Sequence, residues 1–189
     1  MKVVLLASGA GSLASAIFSA IDSGDLAIDI ALVISDKDAP VLATAQSRNI
    51  ATALIPMKSV RADWDREIFA AVAAIDPDLV VSVGFMRILA ADFVARFRTI
   101  NTHPALLPLF PGAHAVEDAL AAGASVTGTT VHWVDAGVDT GEIISQREVA
   151  ILTGDSAASL HERIKIQERL LIVETLQKFA SHGIPGSDG

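Results

Sequence analysis

The chain has 189 residues, 51% of them hydrophobic and 19% charged, with a formal net charge of −8. This is globular composition for one domain with a sizeable core, and the diffuse acidity argues against a nucleic-acid partner, which needs clustered Lys and Arg. Cysteine is absent, which excludes disulfides and thiolate metal sites and fits the cytoplasm, and no apolar run approaches the roughly 20 residues of a membrane helix.

The N-terminal stretch MKVVLLASGAGSLASA imitates a secretory signal, but its apolar part is short and broken by Gly-Ala-Gly-Ser. It reads instead as a buried strand, KVVLLAS, running into a glycine turn. GSLASAIFSAIDSG then has helical spacing at Leu13, Ile17 and Ile21, with Gly24 near its end. IDIALVIS is a second strand, DAPVLATAQSRN a helix with Pro40 near its start, and IATALIP a third short strand. ADWDREIFAAVAAI is an amphipathic helix and DLVVSVG a fourth strand. The alternation predicts an α/β fold, Rossmann-like, with a mostly parallel central sheet and helices on both faces.

After Gly84 the rhythm changes. A short helix, LAADFVARF, leads to the strand TINTH and a proline-rich loop. GTTVHWVDAGVDTGEIISQREVAI predicts two strands joined by a Gly- and Asp-rich loop, hence an antiparallel C-terminal portion. A long helix from Asp155 to Ala180 closes the chain, with Asp155 or Ser156 as its N-cap. One domain is expected over 1–180 and a flexible tail over 181–189.

Several stretches carry possible chemistry. Gly9, Gly11 and Ala14 fit the G-x-G-x-x-A pattern, and Asp36 ends the next strand. Glycines admit a phosphate to backbone N–H groups at a helix start, and the pattern supports a phosphate better than a dinucleotide. The alternative is a tight turn with no ligand. VGFMRIL, at 83–89, follows the fourth strand, where ligands of open α/β sheets bind; its backbone and apolar side chains suit a flat heterocycle, or Arg87 simply faces water.

NTHPALLPLFPG is more specific. Asn101 and His103 are two residues apart in a strand and share a face. Pro104 favours an extended His103. An amide beside an imidazole can hold a developing oxyanion, although both can equally serve the loop backbone. In DAGVDTG, 135–141, Asp139 rather than Asp135 is the carboxylate expected to fold back beside His103 and raise the histidine pKa; ordinary turn chemistry is the alternative. His114 is a candidate for the same loop, His132 reads as a satisfied core histidine, and His161 and His182 read as surface residues. No metal-ligand spacing, nucleophile elbow or Walker A sequence is present.

SGAGS, GFMRIL, NTHPALLPLFPG and VDAGVDTG, in this order, resemble the folate-dependent formyltransferase superfamily, and within it the glycinamide ribonucleotide transformylase family. The likeness runs from Lys2 to about Phe179. It implies transfer of a formyl group from 10-formyltetrahydrofolate, the co-substrate, to the amine of glycinamide ribonucleotide in purine biosynthesis, with no metal. It implies Asn101, His103 and Asp139 as the catalytic trio. Gly11, Ser12 and Leu13, with Arg61, Lys165 and Glu168, would bind the ribonucleotide. Met86, Arg87, Ile88 and Leu89, with Asn101, Asp135, Val138 and Asp139, would bind the folate. A monomer or homodimer acting on small molecules, away from nucleic acid and membrane, is expected. Leu13 stands where the family often has Asn, which puts a side-chain contact to phosphate in question. The additional domains of methionyl-tRNA formyltransferases and of formyltetrahydrofolate deformylases are not expected. A sugar-nucleotide formyltransferase and a non-catalytic dinucleotide-binding module are the competing readings.

Overall fold

Strand β1 (Lys2–Ala7) is fully buried from Val3 to Ala7, as an unbroken apolar run predicts for a strand covered on both faces. Gly11, left-handed at φ 74°, turns the chain into α1 (Ser12–Asp22); a Cβ there would lie 2.7 Å from Val41, so the turn takes only glycine. β2 (Asp29–Ser35) follows, then α2 (Pro40–Gln46), with Pro40 in its first turn. α2 stops three residues short of the expected Asn49, which adopts φ 59° and turns the chain away. β3 (Thr52–Leu54) is shorter than its apolar run suggests. α3 (Arg61–Ile75), β4 (Leu79–Ser82) and α4 (Ala91–Arg96) match the sequence pattern closely.

The computed structural model describes residues 1–185. They fall into two compact units, Met1–Ile100 and a second beginning at Asn101. In the first, β1 pairs in parallel with both β2 and β4, and β2 with β3. Val4, Leu6, Ile34 and Val80 form a core with Trp64, Ile68 and Val72 of α3. Trp64 donates its ring N–H to the Ile55 carbonyl at 3.0 Å and stacks on Phe85, centroids 6.2 Å apart. The indole thereby satisfies its one polar group while burying a large apolar face.

β5 (Thr99–His103) leads into the second unit. α5 (Ala115–Ala121) was not legible in the sequence: it is only seven residues long. β6 (Val126–Trp133) and β7 (Ile143–Ala150) form the expected antiparallel hairpin. Gly128 is required in β6, because a Cβ would lie 2.1 Å from the Arg147 carbonyl oxygen. α6 (Ala157–His182) begins at a capping box in which Ser156 accepts from the Ser159 N–H, and it runs two residues past the expected end at Ala180. Of the expected tail, residues 186–189 lie outside the described residues. Trp133 stacks on Phe179 of α6 with centroids 5.9 Å apart. The seven strands are ordered β3-β2-β1-β4-β5-β6-β7, a mostly parallel sheet with antiparallel C-terminal strands. Among the described residues, no helix is long and apolar enough to cross a membrane.

Candidate active site

Asn101 and His103 do share a face of β5, and the second unit gathers the polar groups around them. Thr130 Oγ1 holds the loop after His103: it donates to the Ala105 carbonyl at 2.6 Å and accepts from Leu107 N–H at 3.1 Å and Gln146 Nε2 at 2.9 Å. The loop places Phe110 at φ 54°, and its carbonyl meets His103 Nε2 at 2.8 Å. A carbonyl only accepts, so Nε2 carries the proton. His103 Nδ1 lies 3.3 Å from Asp139 Oδ2, and the same oxygen accepts from the Gly112 N–H at 2.8 Å. Both ring nitrogens of His103 therefore face acceptors, an arrangement that the doubly protonated ring satisfies fully.

Asp139 reaches this position with φ 54°, a left-handed conformation that Asp tolerates better than most residues. Burial opposes its ionisation. Contact with His132, the Gly112 N–H and the charge of His103 outweigh that burial and hold the carboxyl below its ordinary value of 3.8. The loop around it is self-braced: Asp135 accepts from Gly137 N–H at 3.0 Å and from the Thr140 hydroxyl at 2.8 Å.

His132 is the residue that sequence reasoning assigned to the core alone. It is 2% exposed, but its Nε2 lies 3.3 Å from Asn101 Nδ2 and 3.5 Å from Asp139 Oδ1, while Nδ1 meets the Trp133 carbonyl at 2.8 Å. It belongs to the polar cluster. The only signal in the sequence was its position next to the end of a strand that opens into the Asp-rich loop. His114 is exposed at the start of α5. His161 is not a plain surface residue: burial, and secondarily Lys165, lower its pKa.

In the first unit, Leu13 is 7% exposed, its side chain turned into the core. Only its backbone N–H is left to meet a ligand at the start of α1, where the first N–H groups of a helix lack internal partners. Ser8 ties this loop to the 84–89 segment: its N–H donates to the Gly84 carbonyl at 3.2 Å, and its hydroxyl accepts from Met86 N–H at 2.9 Å. Arg87 does not simply face water, because its Nε donates to Asp36 at 2.6 Å. Asp36 is buried, which opposes its ionisation; the Ser8 hydroxyl and Arg87 outweigh this and lower its pKa. Met86 and Ile88 are exposed and Leu89 is buried. Arg61 donates to the Ile88 carbonyl and to Asp65, and its guanidinium lies 5.0 Å over the Trp64 ring. It thus ties the start of α3 to the 86–89 segment.

On α6, Lys165 pairs with Glu162 at 2.7 Å. Glu168 is 6% exposed, and burial pushes its carboxyl up to about 7 against the opposing pull of Lys165 and Arg169. Among the described residues, no group of three or more His, Cys, Asp or Glu side chains is placed to hold a metal ion.

A mostly parallel α/β sheet that ends in an antiparallel hairpin thus brings an amide, an imidazole and a carboxylate together. The formyl transferase family pattern matches residues 1–176, and the chain belongs to that family. It is 49% identical over 187 residues to a phosphoribosylglycinamide formyltransferase of Mycobacterium tuberculosis, covering 97% of this chain and 86% of that protein. It is 38% identical over 185 residues to the trifunctional purine biosynthetic protein adenosine-3 of Homo sapiens, covering 95% of this chain and 18% of the larger protein. The crystal structure of a phosphoribosylglycinamide formyltransferase from Bacillus halodurans superposes with a TM-score of 0.92 at 34% identity, covering all of both chains.

Proposed function

We infer that the protein transfers the formyl group of 10-formyltetrahydrofolate to the primary amine of glycinamide ribonucleotide, in purine biosynthesis. The observation that carries the mechanism is the contact of Asp139 with both His103 and the Gly112 N–H, beside the Asn101 amide. The amine nitrogen attacks the formyl carbon and a tetrahedral oxyanion forms. The C–N bond to folate N10 then breaks, and the proton shed by the amine goes to N10. No oxidant, reductant or metal enters that balance.

The Asn101 amide donates to the oxyanion. His103 Nε2–H is engaged by Phe110, so Nδ1–H is the donor that turns toward the substrate; its 3.3 Å contact with Asp139 is long enough to be shared with an incoming oxygen. Asp139 balances the charge of the imidazolium. Losing one such donor costs about 3 kcal/mol in the transition state. With both reactants held together, proximity supplies much of the remaining rate.

Backbone N–H groups of Ser12 and Leu13 and the turn at Gly11 are proposed to bind the acceptor's phosphate, with Lys165 and Glu168 at its ribose. Met86, Arg87, Ile88 and Leu89 are proposed for the folate heterocycle, with Asn101, Asp135, Val138 and Asp139. Asp135 serves there through its backbone, since its carboxylate is spent on Gly137 and Thr140. We place Arg61 on the folate side, on the strength of its bond to Ile88. The proposed compartment is the cytoplasm, and the acidic chain is proposed to act as a monomer or homodimer without a nucleic-acid partner.

The dinucleotide reading is not favoured: the Asp36 carboxylate it needs for a ribose is 1% exposed and bonded to Arg87. The test is an absorbance assay of folate deformylation with glycinamide ribonucleotide, run beside a UDP-amino-sugar acceptor. Turnover with the first and not the second is expected. The reverse outcome moves the protein to the sugar-nucleotide branch.

A further inference from the structure

We propose that Thr140 is a positioning residue for this reaction: with Asp135 it clasps the 135–141 loop into the one conformation that delivers the Asp139 carboxylate to His103. The inference rests on the formyl-transfer reading for its kinetic part only.

The loop joining β6 to β7 has to do something unusual. It must turn the chain and also present one carboxylate inward from a left-handed backbone, Asp139 at φ 54°. Asp tolerates this conformation better than most residues, but holding it in one orientation is helped by contacts on both sides. On the inner side, Asp139 is met by the Gly112 N–H at 2.8 Å. On the outer side, the constraint comes from the loop's own atoms. The Thr140 hydroxyl donates to Asp135, with Oδ1 at 2.8 Å and Oδ2 at 3.0 Å, and Asp135 Oδ1 also accepts from the Gly137 N–H at 3.0 Å. This closes a ring across the loop, with Asp139 inside it and adjacent in sequence to the donor.

The packing in and beside that ring is tight enough to specify two glycines. A Cβ on Gly137 would lie 2.1 Å from Thr140 Oγ1, and a Cβ on Gly141 would lie 1.7 Å from the Trp133 carbonyl oxygen. Gly137 accepts no side chain while the clasp is closed, and Gly141 accepts none while the Trp133 carbonyl keeps its place. Thr140 and Asp135 are themselves exposed and bury no core. Opening the clasp would free the backbone on either side of Asp139, and the donor would then have to order that segment on binding.

Three variants test this. Thr140→Val keeps the branched shape and removes the hydroxyl, Thr140→Ser keeps the hydroxyl and removes the methyl, and Asp135→Asn keeps the acceptor oxygen but removes the charge. For Thr140→Val, the KM for 10-formyltetrahydrofolate should rise and kcat should fall, each by about fivefold for a lost hydrogen bond of this kind. The KM for glycinamide ribonucleotide should stay unchanged, and so should Tm. Amide hydrogen exchange at residues 137–141 should accelerate. Thr140→Ser should restore both constants and the exchange protection, and Asp135→Asn should fall between. A role confined to stability would move Tm and leave the folate KM alone, and that result overturns the proposal. So does Thr140→Val with normal kinetics and exchange, or Thr140→Ser as impaired as Thr140→Val. If the wild-type protein transfers no formyl group, the functional reading has failed; the exchange measurements, which need no turnover, still decide whether the clasp holds the loop.

Discussion

Replacing Glu168 by Gln should make the protein more stable, by an amount that grows above about pH 4.5 and levels off above about pH 7. Glu168 lies in the middle of α6, 6% exposed, and burial lifts its carboxyl from 4.5 to about 7. An acid whose folded value is raised favours the fold in its protonated form. That advantage is fully present below about pH 4.5 and is lost as pH rises through about 7. Ionising the group in the folded state therefore costs about 3 kcal/mol above pH 8. Gln is uncharged and nearly isosteric, so it behaves as permanently protonated Glu. The variant and wild type should melt together at pH 4. By pH 8 the variant should melt higher by about 6–12 °C, at roughly 2–4 °C per kcal/mol for a chain of this length. Thermal melts followed by circular dichroism at half-unit pH steps measure the difference directly. A Tm gap that is the same at pH 5 and pH 8 would refute the argument, because it would mean that the Glu168 proton is not what the burial controls. A carboxylate kept at this cost is expected to have a use, and the variant should also raise the KM for glycinamide ribonucleotide.

Asp139→Asn should lower kcat on the order of 100- to 1000-fold, with smaller changes in either KM, measured by the absorbance assay. The fold should survive, since the side chain keeps its shape and the Gly112 N–H keeps an acceptor. Leu13→Asn tests how phosphate is bound. Because the Leu13 side chain is buried, the amide should cost stability without lowering the KM for the ribonucleotide; a clear gain in affinity would show that a side-chain contact had been missing. Gly128→Ala should destabilise the β6–β7 hairpin, with a drop in Tm, because the obstacle at 2.1 Å is a backbone oxygen that cannot swing aside.

The parallel half of the sheet was legible because its signals are local. β1 and β4 are unbroken apolar runs, and Pro40 and Gly24 punctuate the helices where steric rules require. α5 escaped notice because seven residues after a proline-rich loop carry too few turns to show a period. At the candidate site, the two-residue spacing of Asn101 and His103 is a property of any strand and needed no fold. Their convergence with Asp139 depended on how far the hairpin loop curls back, which spacing alone does not fix. The reading of His132 as a satisfied core histidine holds, because it is 2% exposed and bonded to the Trp133 carbonyl, but its nearness to Asp139 was not legible for a related reason. A buried histidine in a strand looks the same in sequence whether its ring meets a backbone carbonyl or a functional carboxylate, and here it meets both. At Arg61 the residue type suits an anion, and nothing in the sequence signals that its guanidinium also bonds the Ile88 carbonyl and Asp65.

The protein's two tryptophans are divided one to each compact unit: Trp64 in the first, stacked on Phe85, and Trp133 in the second, stacked on Phe179. The chain thus carries a built-in pair of optical reporters. Converting either ring to Phe leaves a single emitter whose quenching follows the loosening of its own half of the polypeptide. Trp64, with the Arg61 guanidinium 5.0 Å from its ring and that same arginine bonded to Ile88, is in addition a spectroscopic ear to the segment proposed for the pterin.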